Sequence, residues 1–593
     1  MKLQIEEYLR PFTAAAIGAF ATNRLAALPP SREATLRRRA LQKITLAVGL
    51  IVSGPIVSGS IASASVPAAI LPERIAKAAQ DHVDAGEYPA LVIAYVDGDK
   101  SEIDAFGKLD NGNKPDANTV FEIGSITKTF TATLLALDVQ SGKLEIDQPV
   151  AALLPGFKVP SRNGKPITLL DLADQHSGLP RLPSNLPPAA ANPYAAYDGA
   201  KLRDFLANYE LTRDPGETFE YSNLGVGLLG FALAQNAKKS YGAVVDEKIF
   251  GPLQMRSSGT TSNDAMRAHL ASGHDVQGKP ALNWDFDAFA GAGAIRSSGA
   301  DMLRYLEANM GRRGDALASA MKFAQAPRRD VSHDMRIGLS WMTRSQRTSS
   351  VVWHNGGTAG YCSFLGFTSD GKRGVVILTN IATSVDELGF ATLLADAPIP
   401  PAHKTIKLDA TALDAYVGTY QLAAHFLLDV TRNGDQLSAQ ATGQAAFSLF
   451  ASAPDEFFVK GPPISVSFKR DAQGKVTSLV LHQNGDHPAP KIDALAVAAA
   501  TGSIALDDAA LQTYVGKYQL APGAIFDVTT RDHRLYVQLS GQAAYPVSAS
   551  AKDKFFYSVV DAQLAFERDA KGAVIAVTLH QNGIDQRAPR ISP

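Results

Sequence analysis

Apolar positions along this chain follow two rhythms. Ile126, Phe130, Leu134 and Leu137 fall at steps of four, four and three, which marks one face of a helix opening near Ser125. Helical patterns also cover residues 75–85, 226–234, the stretch after 291–301 through Leu303 and Leu306, and 385–394. Thr168 opens another, which stops at Gly178 and Pro180. Residues 90–96 are apolar throughout and turn at Asp97-Gly98-Asp99 into a second strand ending near Phe106. Residues 364–367 and 375–378 form a hairpin about Asp370-Gly371. Strands at both ends with helices between predict an α+β unit over 65–397: an antiparallel sheet with helices packed on it. Residues 181–200 are rich in Pro, Ala and Asn without periodicity, and read as a long loop of the kind that lines a site.

Beyond a linker at Pro398-Ile-Pro-Pro401 the chain repeats itself. Tyr416-Val-Gly-x-Tyr-Gln-Leu422 returns as Tyr514-Val-Gly-x-Tyr-Gln-Leu520, and Leu481-His-Gln-Asn-Gly485 returns as Leu579-His-Gln-Asn-Gly583. Each copy holds short alternating strands between Gly, Asp and Asn turns, the pattern of a small antiparallel barrel. Two tandem barrels are expected, over 408–493 and 506–593. His482 and His580 occupy matching positions and read as solvated turn residues.

Length divides the 593-residue chain into three or more units. A formal net charge of −1 offers nucleic acid no electrostatic footing. The single cysteine, Cys362, allows neither an intrachain disulfide nor a cysteine-based zinc site, and no carboxylate–histidine cluster suggests a metal or cofactor. Arg37-Arg38-Arg39 and Lys43 precede a largely apolar run that ends in Ala62-Ser63-Ala64, a small-x-small signal-peptidase pattern. Residues 1–64 therefore read as a targeting segment and the protein as exported, periplasmic or secreted. A membrane attachment is expected only if this leader stays uncleaved.

Chemistry starts with Ser125-x-x-Lys128. Ser-x-x-Lys occurs three times, but only this copy opens an apolar helix, which would put hydroxyl and amine on one side about 5–6 Å apart at Cβ. A serine nucleophile with a lysine base also needs a proton carrier and oxyanion donors. Tyr221-Ser-Asn223 supplies a phenol, expected to have its pKa lowered by a nearby ammonium, and an amide to meet a substrate carbonyl. His354-Asn355-Gly356-Gly357 supplies a glycine-lined strand edge against which an acyl group can lie, with the Gly357 amide joining that of Ser125 as oxyanion donor. His176-Ser-Gly178 is assigned to structure, as a helix terminus.

Taken in order, Ser125-x-x-Lys128, Tyr221-x-Asn223 and His354-Asn355-Gly356 resemble the three motifs of the class C β-lactamase and penicillin-binding serine hydrolase family. Flanking stretches resemble it as well: 171–180, Asp214-Pro-Gly216 and 291–301. The resemblance covers roughly residues 70–395. It implies acylation of Ser125, proton transfer shared by Lys128 and Tyr221, ligand orientation by Asn223, and an oxyanion hole from the Ser125 and Gly357 amides. β-Lactamases of the family carry Lys-Thr/Ser-Gly in the third motif; here His354 takes that place. An imidazole is mostly neutral at pH 7, so a substrate carboxylate would be held more weakly. That favours peptidase or amidase action on short or D-amino-acid peptides, or esterase action, over β-lactamase or strict carboxypeptidase work. D-Aminopeptidases with a histidine in this motif also carry two C-terminal lipocalin-like barrels that shape the site entrance. A small peptide, ester or β-lactam is the expected partner. A non-catalytic ligand-binding scaffold is the alternative from another class, and the sequence leaves the oligomeric state open.

Overall fold

The computed structural model describes residues 69–592 apart from 187–191, 313–315, 346–348, 424–425, 443, 445, 484, 522, 532, 541–543, 558–561 and 582–583. The targeting segment read at 1–64 lies outside the described residues.

The chain enters through helix α1 (Glu73–Asp84) and the hairpin β1 (Ala90–Asp97) and β2 (Lys100–Gly107). A short strand β3 (Val120–Glu122) leads through the single 3-10 turn Gly124–Ile126 into α2 (Thr127–Gln140). Further on come α3 (Asn223–Ala237), β4 (Arg296–Ser298) and α4 (Gly299–Asn309). The chain then returns to the sheet through β5 (Arg329–Ser332), β6 (Met335–Ile337), β7 (Met342–Ser345), β8 (Ser350–Gly357), β9 (Cys362–Thr368) and β10 (Arg373–Thr379), and closes with α5 (Asp386–Leu393). Among the described residues eight strands form one antiparallel sheet in the order β2-β1-β10-β9-β8-β7-β6-β5.

The sheet is buried on both faces, which explains why β1 reads as a continuous apolar run rather than an alternation. Val92, Ala94 and Val96 pack into the larger core beneath α2, α3 and α4, while Leu91, Ile93 and Tyr95 pack against α1 and α5. Helix α2 departs from the one-faced helix expected of it. It is buried nearly all round, its threonines included. Those hydroxyls are answered internally: Thr129 Oγ1 donates to Ile126 O at 2.7 Å and Thr131 Oγ1 to Gly291 O at 2.7 Å. A helix apolar on every side belongs in the middle of a core. Lys128 travels there with it.

Two closed barrels follow, as the repeat implies. The first runs over eight strands, β11–β18, from Gly418–Ala423 to Asp486–Ile492, and the second over eight more, β19–β26, from Gly516–Ala521 to Ile584–Ser592. Helix α6 (Ala494–Thr501) joins them. The first barrel docks on the N-terminal domain. Lys460 Nζ donates to Val276 O at 3.2 Å, Gln277 Nε2 to Ser448 Oγ at 3.4 Å, and the His403 and Phe458 rings stack 4.6 Å apart. The matching histidines lie on strands rather than in turns, each beside an aspartate: His482 Nδ1 is 2.7 Å from Asp486 and His580 Nδ1 2.6 Å from Asp585.

Candidate active site

Ser125 sits in the 3-10 turn that starts α2, partly exposed, and Lys128 lies one turn on, fully buried. Lys128 Nζ is 2.8 Å from Ser125 Oγ and donates to Ala292 O at 2.8 Å. Among the described residues no carboxylate stands beside it, and burial, helped by the Arg181 charge, holds its pKa well below the usual lysine range. With Nζ anchored between the Ala292 carbonyl and Ser125 Oγ, an amine that has given up its proton can turn its lone pair to the serine hydroxyl. Gly124, at φ +49°, makes the bend that turns Ser125 into the cleft; a Cβ there would stand 2.7 Å from the Gly357 nitrogen. The β8 edge therefore lies directly against the nucleophile's turn.

Tyr221 is delivered by the start of α3. Ser222 caps that helix, its Oγ accepting from Gly225 N at 2.8 Å and donating to Pro180 O at 2.7 Å, while Ser222 N donates to Gln175 Oε1 at 2.7 Å. The 175–180 loop is thus a brace for the tyrosine, in line with the structural assignment of His176-Ser-Gly178. The Tyr221 hydroxyl hydrogen-bonds Ser125, and Lys128 Nζ lies 5.0 Å from the ring centroid. Contrary to the expectation of a lowered phenol pKa, burial pushes Tyr221 up to about 12. The Ser125 hydrogen bond and the Arg181 charge pull the phenol the other way, but its own desolvation outweighs both. Asn223 is turned so that its side chain bonds the Tyr194 hydroxyl, leaving Oδ1 buried without a partner. The open atom is an acceptor, suited to a ligand N–H rather than to the carbonyl expected.

Strand β8 carries the third motif. His354 is buried with its ring centroid 6.1 Å from that of Tyr221. Its Nδ1 donates to Asn355 O at 2.6 Å, and burial, with Lys128 nearby, lowers its pKa to about 3. The imidazole is neutral and offers a lone pair at Nε2. Alternation along the strand sends Asn355 to the opposite face, where Nδ2 donates to Asp386 Oδ2 at 2.6 Å. Asn355, expected to bind substrate, is engaged there with Asp386, and both residues also line the cavity that holds Ser125. Gly356 faces the nucleophile's turn so closely that a Cβ would come within 1.9 Å of Ile123 O.

Ser125, Tyr221, Asn223, His354, Gly356 and Gly357 line one end of a cavity of about 2210 Å³ that continues along both barrels as far as Val537 and Leu579. Arg181, Tyr194 and Trp284 line it too. The Trp284 segment is held by buried Glu122, which accepts from Trp284 N at 2.9 Å and from Asn283 Nδ2 at 3.0 Å and pairs with Arg296 at 3.2 Å. The cavity extends past residues 275–277 to Phe450 and Lys460 of the first barrel.

Against known proteins, the family model described as Beta-lactamase matches residues 75–397, more than half of the chain. The chain belongs to the β-lactamase family of serine hydrolases. A domain of unknown function, DUF3471, matches the repeats at 402–494 and 501–589.

Within this β-lactamase family, the D-alanyl-D-alanine-carboxypeptidase/endopeptidase AmpH of Escherichia coli K12 is 27% identical over 319 residues, 50% of this chain and 81% of that protein. Penicillin-binding protein 4* of Bacillus subtilis is 25% identical over 438 residues, 67% of this chain and 94% of that protein. A solved β-lactamase/D-alanine carboxypeptidase from Yersinia pestis is 23% identical with a TM-score of 0.47, covering 52% of this chain and 92% of the other. Sequence reasoning passed over Arg181, Tyr194, Trp284 and the Glu122–Arg296 pair. The one available signal was the aperiodic loop at 181–200, which carries the first two.

Proposed function

We propose that this protein is an exported serine amidase acting through an acyl-enzyme on Ser125, with short peptides, D-amino-acid peptides among them, and esters as substrates. The observation that carries the reading is a buried, charge-depleted Lys128 amine 2.8 Å from Ser125 Oγ, with the Tyr221 phenol on the same oxygen. Neutral Lys128 takes the serine proton as Oγ bonds to the substrate carbonyl carbon. The resulting oxyanion rests on the Ser125 and Gly357 amides. Tyr221 enters protonated, hands its proton to the leaving amine or alkoxide, and regains one from Lys128. Water then reverses these roles and releases the acid. Neutral His354 supplies no cation for a substrate carboxylate, which supports an amide or ester over a β-lactam. Cleavage of D-alanyl peptides by the relative AmpH, as its name states, supports the D-peptide assignment. Export rests on the basic-apolar-small order of residues 37–64.

A second reading, carboxypeptidase or β-lactamase, is favoured by one feature: Arg181 is a cation inside the same cleft. Two measurements decide. A fluorescent penicillin or fluorophosphonate labels Ser125 and spares Ser125→Ala; equal labelling of both proteins defeats the acyl-enzyme. A panel of an ester, a D-amino amide, an L-amino amide and a chromogenic cephalosporin then ranks substrates. Fastest turnover of the cephalosporin gives the second reading the better claim.

A further inference from the structure

Arg181 is the only charged side chain between Asp174 and Asp198. Two prolines, Pro180 and Pro183, stiffen the loop that carries it. Its backbone oxygen accepts from Asn223 N at 3.1 Å and Leu224 N at 3.2 Å, which pins the residue to the first turn of α3. From there the guanidinium reaches over Tyr221, 5.1 Å from the ring centroid, and lines the cavity that holds Ser125 and Asn223. Other arginines around the cleft are paired: Arg213 with Glu220, Arg296 with Glu122 and Asp285, Arg329 with Asp171 and Asp174. Arg181 has no such partner among the described residues. The ionisable groups it feels are the Tyr221 and Tyr194 hydroxyls and the Lys128 amine.

A partly buried cation without an anion is an expense the fold has no structural reason to bear. The cost is offset when an anion arrives with the ligand. A guanidinium is suited to one in particular, because its planar fork matches the two oxygens of a carboxylate. The β8 side of the cleft cannot do this, since His354 is neutral and its Nδ1–H is already given to Asn355 O.

We propose that Arg181 is a specificity-determining residue that binds a substrate carboxylate on the α3 side of the cleft, making acidic peptides or acyl groups the preferred substrates. The inference rests on the serine hydrolase reading of the same cleft. It relocates the anion-binding position from the third-motif strand to the proline-rich loop.

The test uses the full chain with Ser125→Ala, so that binding is read without turnover. Two matched pairs place the charge on either side of the scissile bond: N-succinyl- against N-acetyl-D-alanine p-nitroanilide, and N-acetyl-D-alanyl-D-alanine against its C-terminal amide. Calorimetric Kd values are expected to favour the acid of at least one pair about tenfold, the effect of a charge-assisted hydrogen-bonded pair. Adding Arg181→Met should abolish that preference, and adding Arg181→Lys should keep part of it. Equal affinities within both pairs, or a preference that survives Arg181→Met, overturns the proposal. The comparison within the Ser125→Ala protein needs no Arg181 variant, so a Met variant that fails to fold does not shield the idea. With Ser125 restored, KM for the favoured acid should rise in Arg181→Met more than kcat falls. An unlabelled Ser125 in the probe assay would sink the hydrolase reading and leave these binding ratios to judge Arg181 separately.

Discussion

The cleft and the barrels both bury tyrosines beside cations, and they treat them in opposite ways. In the first barrel Tyr420 is fully buried and its hydroxyl donates to Tyr416 O at 2.6 Å; in the second, Tyr518 does the same to Tyr514 O at 2.6 Å. The rings pack edge-on against Phe468 and Phe566, and Arg470 and Arg568 each meet an aspartate at 2.8 Å. These polar groups are satisfied within the barrel, and the arrangement is repeated intact. In the cleft, among the described residues, Lys128 has no anion, Arg181 has no carboxylate and Asn223 Oδ1 has no partner. Buried polar atoms left open cost stability, and they persist where a ligand or a proton transfer uses them. Open atoms also occur in the first barrel, at Gln440 Oε1 and Gln483 Nε2, so what marks the cleft is their convergence on a nucleophile rather than their presence.

The sharpest way to break this contrast is to remove the nucleophile. Ser125→Ala should lower kcat on a good ester or amide on the order of 10⁵-fold, with thermal unfolding little changed. A variant within tenfold of the parent would make the cleft no more reactive than the barrels. Phenol-to-phenyl exchange tests the two regions with one chemical change. Tyr221→Phe should lower kcat by about 10²–10⁴ and leave stability nearly untouched, since it removes a proton carrier from a site that is already strained for function. Tyr420→Phe should leave kcat alone and cost about 1 kcal/mol of unfolding free energy, the worth of one satisfied hydrogen bond. Denaturant melts and steady-state rates on the two variants should therefore move in separate columns; a matching loss of rate in Tyr420→Phe would tie the barrel to the chemistry.

Much of this was readable along the chain because it is local. Ser125 and Lys128 are three apart on one helix, and Asp97-Gly98 and Asp370-Gly371 announce their hairpins. Three motifs in order pointed to one cleft although no single motif did. What escaped depends on neighbours far away in sequence. The all-round burial of α2 is set by the helix at Ala316–Gln325, the Ala290–Gly293 turn and α3, all distant in sequence, so one face alone reads as buried from its own residues. The Tyr221 shift runs upward because burial of the phenol itself outweighs the Arg181 charge and the Ser125 hydrogen bond. Arg181 is one arginine in an aperiodic loop, and only its position over Tyr221 distinguishes it. Asn355 was grouped with His354 by adjacency, yet strand alternation puts the two on opposite faces.

Those two faces offer the finest test. His354 is depressed from the ordinary 6.5 to about 3, so between those pH values the unfolded chain binds a proton that the fold refuses. Its contribution makes stability rise with pH across that window. Asp386 is raised from 3.8 to about 7 by burial, so there the fold holds a proton that the unfolded chain releases. Its contribution makes stability fall as pH rises across that window. Each slope is at most about 1.4 kcal/mol per pH unit, and from roughly pH 4 to 6.5 they oppose one another. The parent protein should therefore show little net dependence from this pair. His354→Gln should expose the Asp386 slope, with stability lost as pH climbs from 4 to 7. Asp386→Asn should expose the His354 slope, with stability gained from 4 to 6.5. Unfolding free energies at half-unit pH steps read both slopes. If the two variants tilt the same way, His354 on β8 and Asp386 at the start of α5 are not an oppositely biased pair.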